Sequence, residues 1–216
     1  MKQTSITKLS EVYNALNGTD NQHFADLIQQ VIRAEATTEA KGGKFDYFKY
    51  VDNTGTRPIM GCVFHDEGYK VASDAFILIA IKDNYPDEYE HKCLKADGSF
   101  EDGIYPKWRS VVPNPDGYQP YTFDAQKFYD WLTERRAAWK AEMGKGCRFS
   151  DRWAVKVGPC YLKAEFFDKL LTAMERIGAT ELMVRDDRRA VYAKTDAGLV
   201  LLMPVVNVSQ EALVLA

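Results

Sequence analysis

Tyr161-Leu-Lys-Ala-Glu-Phe-Phe-Asp-Lys-Leu-Leu-Thr-Ala-Met-Glu-Arg-Ile-Gly178, followed by Glu181-Leu-Met-Val-Arg185, Ala190-Val-Tyr-Ala-Lys194 and Gly198-Leu-Val-Leu-Leu-Met-Pro-Val-Val206, decides the fold of this chain. In the first run Leu162, Phe166, Phe167, Leu170, Leu171, Met174 and Ile177 fall on one helical face, with Lys163, Glu165, Asp168, Lys169 and Glu175 opposite. That is the pattern of an amphipathic helix with one buried stripe. Gly178 stands where a left-handed C-cap is usual. The following runs are short and apolar, parted by polar turns at Asp186-Asp187-Arg188-Arg189 and Thr195-Asp196-Ala197-Gly198. They predict a three-stranded antiparallel meander after the helix. Trp153-Ala-Val-Lys-Val157 predicts the strand that feeds Tyr161.

Working outward, a similar arrangement occurs in the first part of the chain. Ile6, Leu9, Val12, Tyr13 and Leu16 mark a short helix ended by Gly18, and Asp20 or Asn21 caps a second carrying Phe24, Leu27, Ile28, Val31 and Ile32. From Phe45 the period changes. Strands are predicted at Lys44–Val51, Arg57–Phe64 and Tyr69–Ile81, with turns at Asp52-Asn-Thr-Gly55 and His65-Asp-Glu-Gly68. Helix followed by antiparallel strands thus appears at 22–81 and again at 161–206.

Between these two stretches the charge is uneven. Residues 83–102 hold seven carboxylates against Lys92 and Lys95. They read as a solvated surface hairpin, with a mimic of DNA charge or a site for a basic partner as alternatives. Asp124 caps a predicted helix from Ala125 to about Glu142, with Phe128, Trp131, Leu132 and Trp139 apolar. From Ala125 to Lys156 eight cations stand against four acids.

Three segments resemble the bacterial sliding clamp, the beta subunit of the replicative DNA polymerase, in that family's own order. Val71-Ala-Ser-Asp-Ala-Phe-Ile-Leu-Ile-Ala80 is similar to its Val-Ala-Thr-Asp-Gly-His-Arg-Leu-Ala strand, with Ala75, Phe76 and Ile77 replacing glycine, histidine and arginine. Tyr105-Pro-Lys-Trp-Arg-Ser-Val-Val-Pro113 is similar to the Phe-Pro-Asp-Tyr-Arg-Arg-Val-Ile/Leu-Pro segment leading into its last domain. Leu201-Leu-Met-Pro-Val205 is similar to the closing strand that ends in Met-Pro.

The resemblance implies an α+β, DNA-clamp-like fold of two pseudo-twofold halves, each a helix plus antiparallel sheet. We read residues 1–216 as one such domain, with half one at about 20–82, an insertion at about 83–155 and half two at about 156–208. The other parsing is two abbreviated domains joined at 105–113. By position, the resemblance assigns a peptide groove to Phe76, Leu78, Pro113, Leu201 and Met203. Each of these is also a core residue by pattern. A phosphate-contacting face falls to Lys127, Arg135, Arg136 and Lys140 on the inserted helix, against the reading of ordinary surface cations. The two half-domain helices are poor in cations, which weighs against sliding on DNA. The implied partners are short linear peptides of replication proteins and duplex DNA, in a replication or mobile-element context. Six such domains close a clamp ring, so encirclement would require a homo-oligomer. The alternative is a clamp-derived adaptor or decoy that does not bind DNA.

The remaining signals exclude more than they assign. A chain of 216 residues with ordinary apolar and charged fractions can bury a full core. Its longest apolar runs fall short of the ~20 residues a membrane span needs, and Met1-Lys-Gln-Thr-Ser-Ile lacks the apolar region of a signal peptide. Cys62, Cys93, Cys147 and Cys160 form no Cys-x-x-Cys pair, which fits a reduced, cytoplasmic protein. No nucleotide-binding glycine loop is present. Cys62, His65, His91 and Cys93 are spaced too irregularly for a zinc motif, and a Cys/His nucleophile pair would need proximity that spacing does not give. The expectation is a non-enzymatic protein with no cofactor and no metal.

Overall fold

The computed structural model describes residues 45–143, 153–205 and 212–215. The helices read at 6–17 and 22–32, and the Gly144-Lys-Gly146 joint, lie outside them. Two compact units emerge, one of residues 45–74 and 80–108, the other of 75–79, 109–143, 153–205 and 212–215.

The first unit opens with a 3-10 turn, Tyr47–Lys49, where the sequence predicts a strand. Asp46 explains the difference, since its Oδ1 accepts the Phe48 N–H at 3.0 Å and bends the chain. Phe45 then stacks on Tyr50 and meets Tyr47 edge-on. The run predicted as a strand from Arg57 also starts as a 3-10 turn, Pro58–Gly61, with proline in its first position. Strands follow at β1 (Val63–Asp66), β2 (Tyr69–Ser73), β3 (Ile77–Lys82), β4 (Cys93–Leu94) and β5 (Phe100–Glu101). Their order is β5-β4-β1-β2-β3. Glu67 and Gly68 both have positive φ and close the β1–β2 hairpin in the register Asp66↔Tyr69, as a two-residue turn of primed type requires. The acidic segment contains the β4–β5 hairpin, but Tyr89 and Leu94 are buried against Tyr85 and Phe100 and root it in the unit. The segment after it is fixed by Tyr105 stacking on Phe64 and by Trp108, whose Nε1–H donates to Asp66 Oδ2 at 2.7 Å.

The second unit begins at Ala75, just before β3, and takes in β3 as far as Ile79. The single run predicted from Tyr69 to Ile81 breaks at Asp74-Ala75-Phe76, where Ala75 takes φ 75°. The unit adds β6 (Gln119–Tyr121), α1 (Ala125–Met143), β7 (Ala154–Val157), β8 (Cys160–Lys163), α2 (Ala164–Ile177), β9 (Leu182–Val184), β10 (Val191–Thr195), β11 (Gly198–Leu202) and β12 (Ala212–Val214). The large sheet runs β3-β11-β10-β9-β6, and β12-β7-β8 forms a small one. The predicted meander is β9–β10–β11, antiparallel throughout. Phe167, Leu170, Leu171, Met174 and Ile177 of α2 are buried as the helical face requires, whereas Leu162 belongs to β8. Gly178 caps α2 in the left-handed conformation, and Thr195 Oγ1–H donates to the Ile177 carbonyl at 2.7 Å. Asp124 caps α1 by accepting the Gln126 and Lys127 N–H groups. Phe128 of α1 meets Phe167 of α2 edge-on at 4.9 Å.

Candidate functional site

The residues assigned to a groove divide by exposure. Phe76 and Met203 are 56% and 42% exposed, unusual for large apolar side chains, while Leu78 and Leu201 are 7% and 5% exposed. The chain brings the exposed pair together by a backbone bond, since the Met203 N–H donates to the Phe76 carbonyl at 2.9 Å. Phe76 also meets the half-buried Phe166 of α2, with ring centroids 5.6 Å apart. One step on, the Val205 N–H donates to the Tyr161 carbonyl at 2.8 Å, so Pro204 and Val205 continue the patch along β8. Lys169 Nζ lies 5.2 Å from the Phe166 ring centre. Leu78 and Leu201 are therefore core residues that present little surface. Leu201 sits opposite Tyr192, whose ring meets Tyr118 edge-on at 5.0 Å. Pro113 is half-buried just beyond the 3-10 turn Trp108–Val111. Phe166 was hidden in the sequence because its spacing is that of a core residue of α2.

The four cations of α1 do not share one face. Arg135 falls on the stripe of Phe128, Leu132 and Trp139 and is half-buried. Arg136 forms an ion pair with Asp168 of α2 at 3.0 Å. Lys127 Nζ donates to the Val214 carbonyl at 3.1 Å. Lys140 is exposed in the last turn.

In the first unit Cys62 and Cys93 are buried, and burial pushes their thiols up to about 11 and about 12. Cys160 of the second unit is also buried and pushed to about 11, again chiefly by burial. None is a thiolate at neutral pH, so they make poor nucleophiles and poor metal ligands. His65 is 1% exposed; its Nδ1–H donates to the Lys92 carbonyl at 3.2 Å, since a carbonyl only accepts. Burial lowers its pKa to about 4, so it stays neutral. A cavity of about 550 Å³ is lined by Glu67, Asp83, Asp87 and Glu90 against Lys82, with Tyr85 in its wall. The Tyr85 hydroxyl donates to Glu90 Oε2 at 2.7 Å and accepts the Gly68 N–H at 2.8 Å. No helix among the described residues is long and apolar enough to cross a membrane.

The same fold occurs in proteins of known structure. The chain superimposes on a DNA polymerase sliding clamp from Bacillus subtilis with TM-score 0.51 and 12% identity, over 84% of this chain and 63% of that one. A beta sliding clamp from C. crescentus matches with TM-score 0.54 and 11% identity, over 81% and 64%. A sliding clamp (DNA polymerase III subunit beta) from Bartonella birtlesii, bound to griselimycin, matches with TM-score 0.54 and 11% identity, over 81% and 65%. The chain spans a little under two thirds of the length of these clamps. No protein-family model and no curated protein sequence matches it. The chain has a divergent, α+β sliding-clamp-like fold.

Proposed function

We propose that this chain is a non-catalytic, clamp-fold binding protein that takes short linear peptides of replication or mobile-element partners on the patch around Phe76 and Met203. The observation that carries the reading is the exposure of these two large apolar side chains on adjacent backbone. Single exposed apolar residues need no explanation; a contiguous set of Phe76, Phe166, Met203, Pro204 and Val205 is what a peptide-anchoring surface looks like. Burying both side chains under a peptide anchor would contribute roughly 2–3 kcal/mol of apolar transfer. Duplex DNA is the second partner of this reading, through Lys140 and the remaining cations of α1. Two of those, Lys127 and Arg136, have internal partners, so the adaptor form without DNA binding is favoured. The boundary between the compact units at Trp108 supports parsing the chain at 105–113 over a single interrupted domain.

The test is fluorescence anisotropy with labelled short peptides carrying Leu and Phe anchors, on the full chain and on Met203→Asp and Phe76→Ser. Both positions are exposed, so the melting temperature is expected to hold within a few degrees while affinity falls at least ~tenfold. Griselimycin, bound to the Bartonella birtlesii clamp, is expected to respond to the same substitutions. Unchanged binding in both variants would remove the patch from consideration.

A further inference from the structure

We propose that Asp66, Glu90 and His91 form a binding site for a divalent transition-metal ion of the Zn²⁺ class. These three side chains offer donor atoms that all lie within 4.8 Å of one another. His91 Nδ1 stands 3.4 Å from Asp66 Oδ1 and 3.5 Å from Glu90 Oε1. An ion with tetrahedral bonds of about 2.0–2.1 Å sets its donors about 3.3 Å apart, so both His91 separations match, and the two carboxylates, within 4.8 Å of each other, close on the ion by a small side-chain rotation. Donor chemistry selects the ion. Ca²⁺ and Mg²⁺ take all-oxygen sets, whereas one imidazole nitrogen with two carboxylates suits Zn²⁺, Co²⁺ or Ni²⁺.

The surroundings hold each ligand from outside the cluster. Asp66 ends β1, and Trp108 Nε1–H occupies its Oδ2, turning Oδ1 toward His91. Glu90 accepts the Tyr85 hydroxyl on Oε2 and the Glu67 N–H on Oε1, both at 2.7 Å. Each carboxylate oxygen has two lone pairs, so Oε1 keeps one for an ion. His91 is pinned by its N–H, which donates to the His65 carbonyl at 2.9 Å. Outer donors of this kind orient ligating carboxylates in metal sites. Independently, Glu90 borders the acidic cavity with Glu67, Asp83 and Asp87, and that field raises the local concentration of cations. The His91 side chain is 68% exposed, so the ion has an open entry path and positions left for water. Sequence spacing hides the set, because Asp66 is distant from Glu90-His91 and no cysteine takes part.

A protonated imidazole between two carboxylates would use the same contacts, and titration separates the two. Zn²⁺ is added to the metal-free full chain at neutral pH by calorimetry, with Mg²⁺ as control and Co²⁺ as a spectroscopic probe. The expected result is a single Zn²⁺ per chain, no Mg²⁺ heat, and affinity at least ~tenfold weaker in His91→Asn and in Glu90→Gln. Asn is chosen because His91 has φ 58°, a conformation asparagine tolerates. Co²⁺ bands should vanish in His91→Asn. Absence of Zn²⁺ binding, affinity in either variant unchanged from that of the unsubstituted chain, or thiolate-to-Co²⁺ absorption would each overturn the site.

Discussion

Ala75 has φ 75° and is exposed, in the position where the clamp pattern has glycine. An L-residue in that region costs roughly 1–2 kcal/mol, partly offset by the roughly 0.5–1 kcal/mol that glycine loses in conformational entropy. Ala75→Gly is therefore expected to raise the urea midpoint, by about 0.5–1 kcal/mol of stability, and Ala75→Val to lower it. His65 gives a second residue-scale prediction. Its pKa falls from the ordinary 6.5 to about 4, mainly through burial between Tyr85 and Tyr89. Well above pH 6.5 neither folded nor unfolded His65 holds the extra proton, and stability is unaffected. Below it the unfolded chain takes a proton that the native state refuses, so stability falls as pH drops toward about 4. Between pH 6.5 and 5 the loss is about 2 kcal/mol, before most carboxylates titrate. Urea melts across that window check it, and His65→Phe should flatten the slope.

At the scale of elements, the β7–β8 hairpin turns at Gly158, with φ 54°. A Cβ there would lie 2.6 Å from Tyr121 Cζ and 2.8 Å from its hydroxyl. Gly158→Ala is expected to cost about 2 kcal/mol, half from the backbone and half from displacing the Tyr121 ring. In a Tyr121→Ser background only the backbone part should remain, which a double-mutant cycle by urea denaturation resolves. Equal costs in both backgrounds would mean that the ring yields freely. The elements legible in the sequence were those whose period and punctuation agree. α2 has a full apolar stripe and Gly178; α1 has Asp124; the meander has two polar turns. At Tyr47–Lys49 and Pro58–Gly61 the sequence predicts strands where the chain forms 3-10 turns, because aromatic and apolar clusters look alike in both. A side-chain bond from Asp46 and a proline at the first helical position decided otherwise. The break at Ala75 was invisible because alanine carries no mark of a left-handed backbone.

For the whole molecule, the clamp-like architecture was readable because it depends on the order of elements, which survives at 11–12% identity. The proposed site is only half readable. Position along the chain points to Phe76, Leu78, Pro113, Leu201 and Met203 together, but only exposure separates Phe76 and Met203, the proposed anchors, from the buried Leu78 and Leu201. The charge reading fared differently, because a run of cations along a helix says nothing about which face each occupies. Lys127 and Arg136 are nine residues apart, which turns them about 180° from each other around α1. Arg135 lies on the packed side, and Asp168 and the Val214 carbonyl engage Arg136 and Lys127. With a net charge of −3, no long-range attraction compensates for the missing shared face. Duplex DNA is therefore expected to bind weakly, with a log–log salt slope no steeper than about −2. Arg136→Ala combined with Lys140→Ala should change that affinity less than about twofold. Anisotropy of a labelled duplex, from low to physiological salt, measures both quantities. A steep slope that collapses in the double variant would instead make α1 a phosphate-tracking surface and put DNA ahead of peptides as the partner.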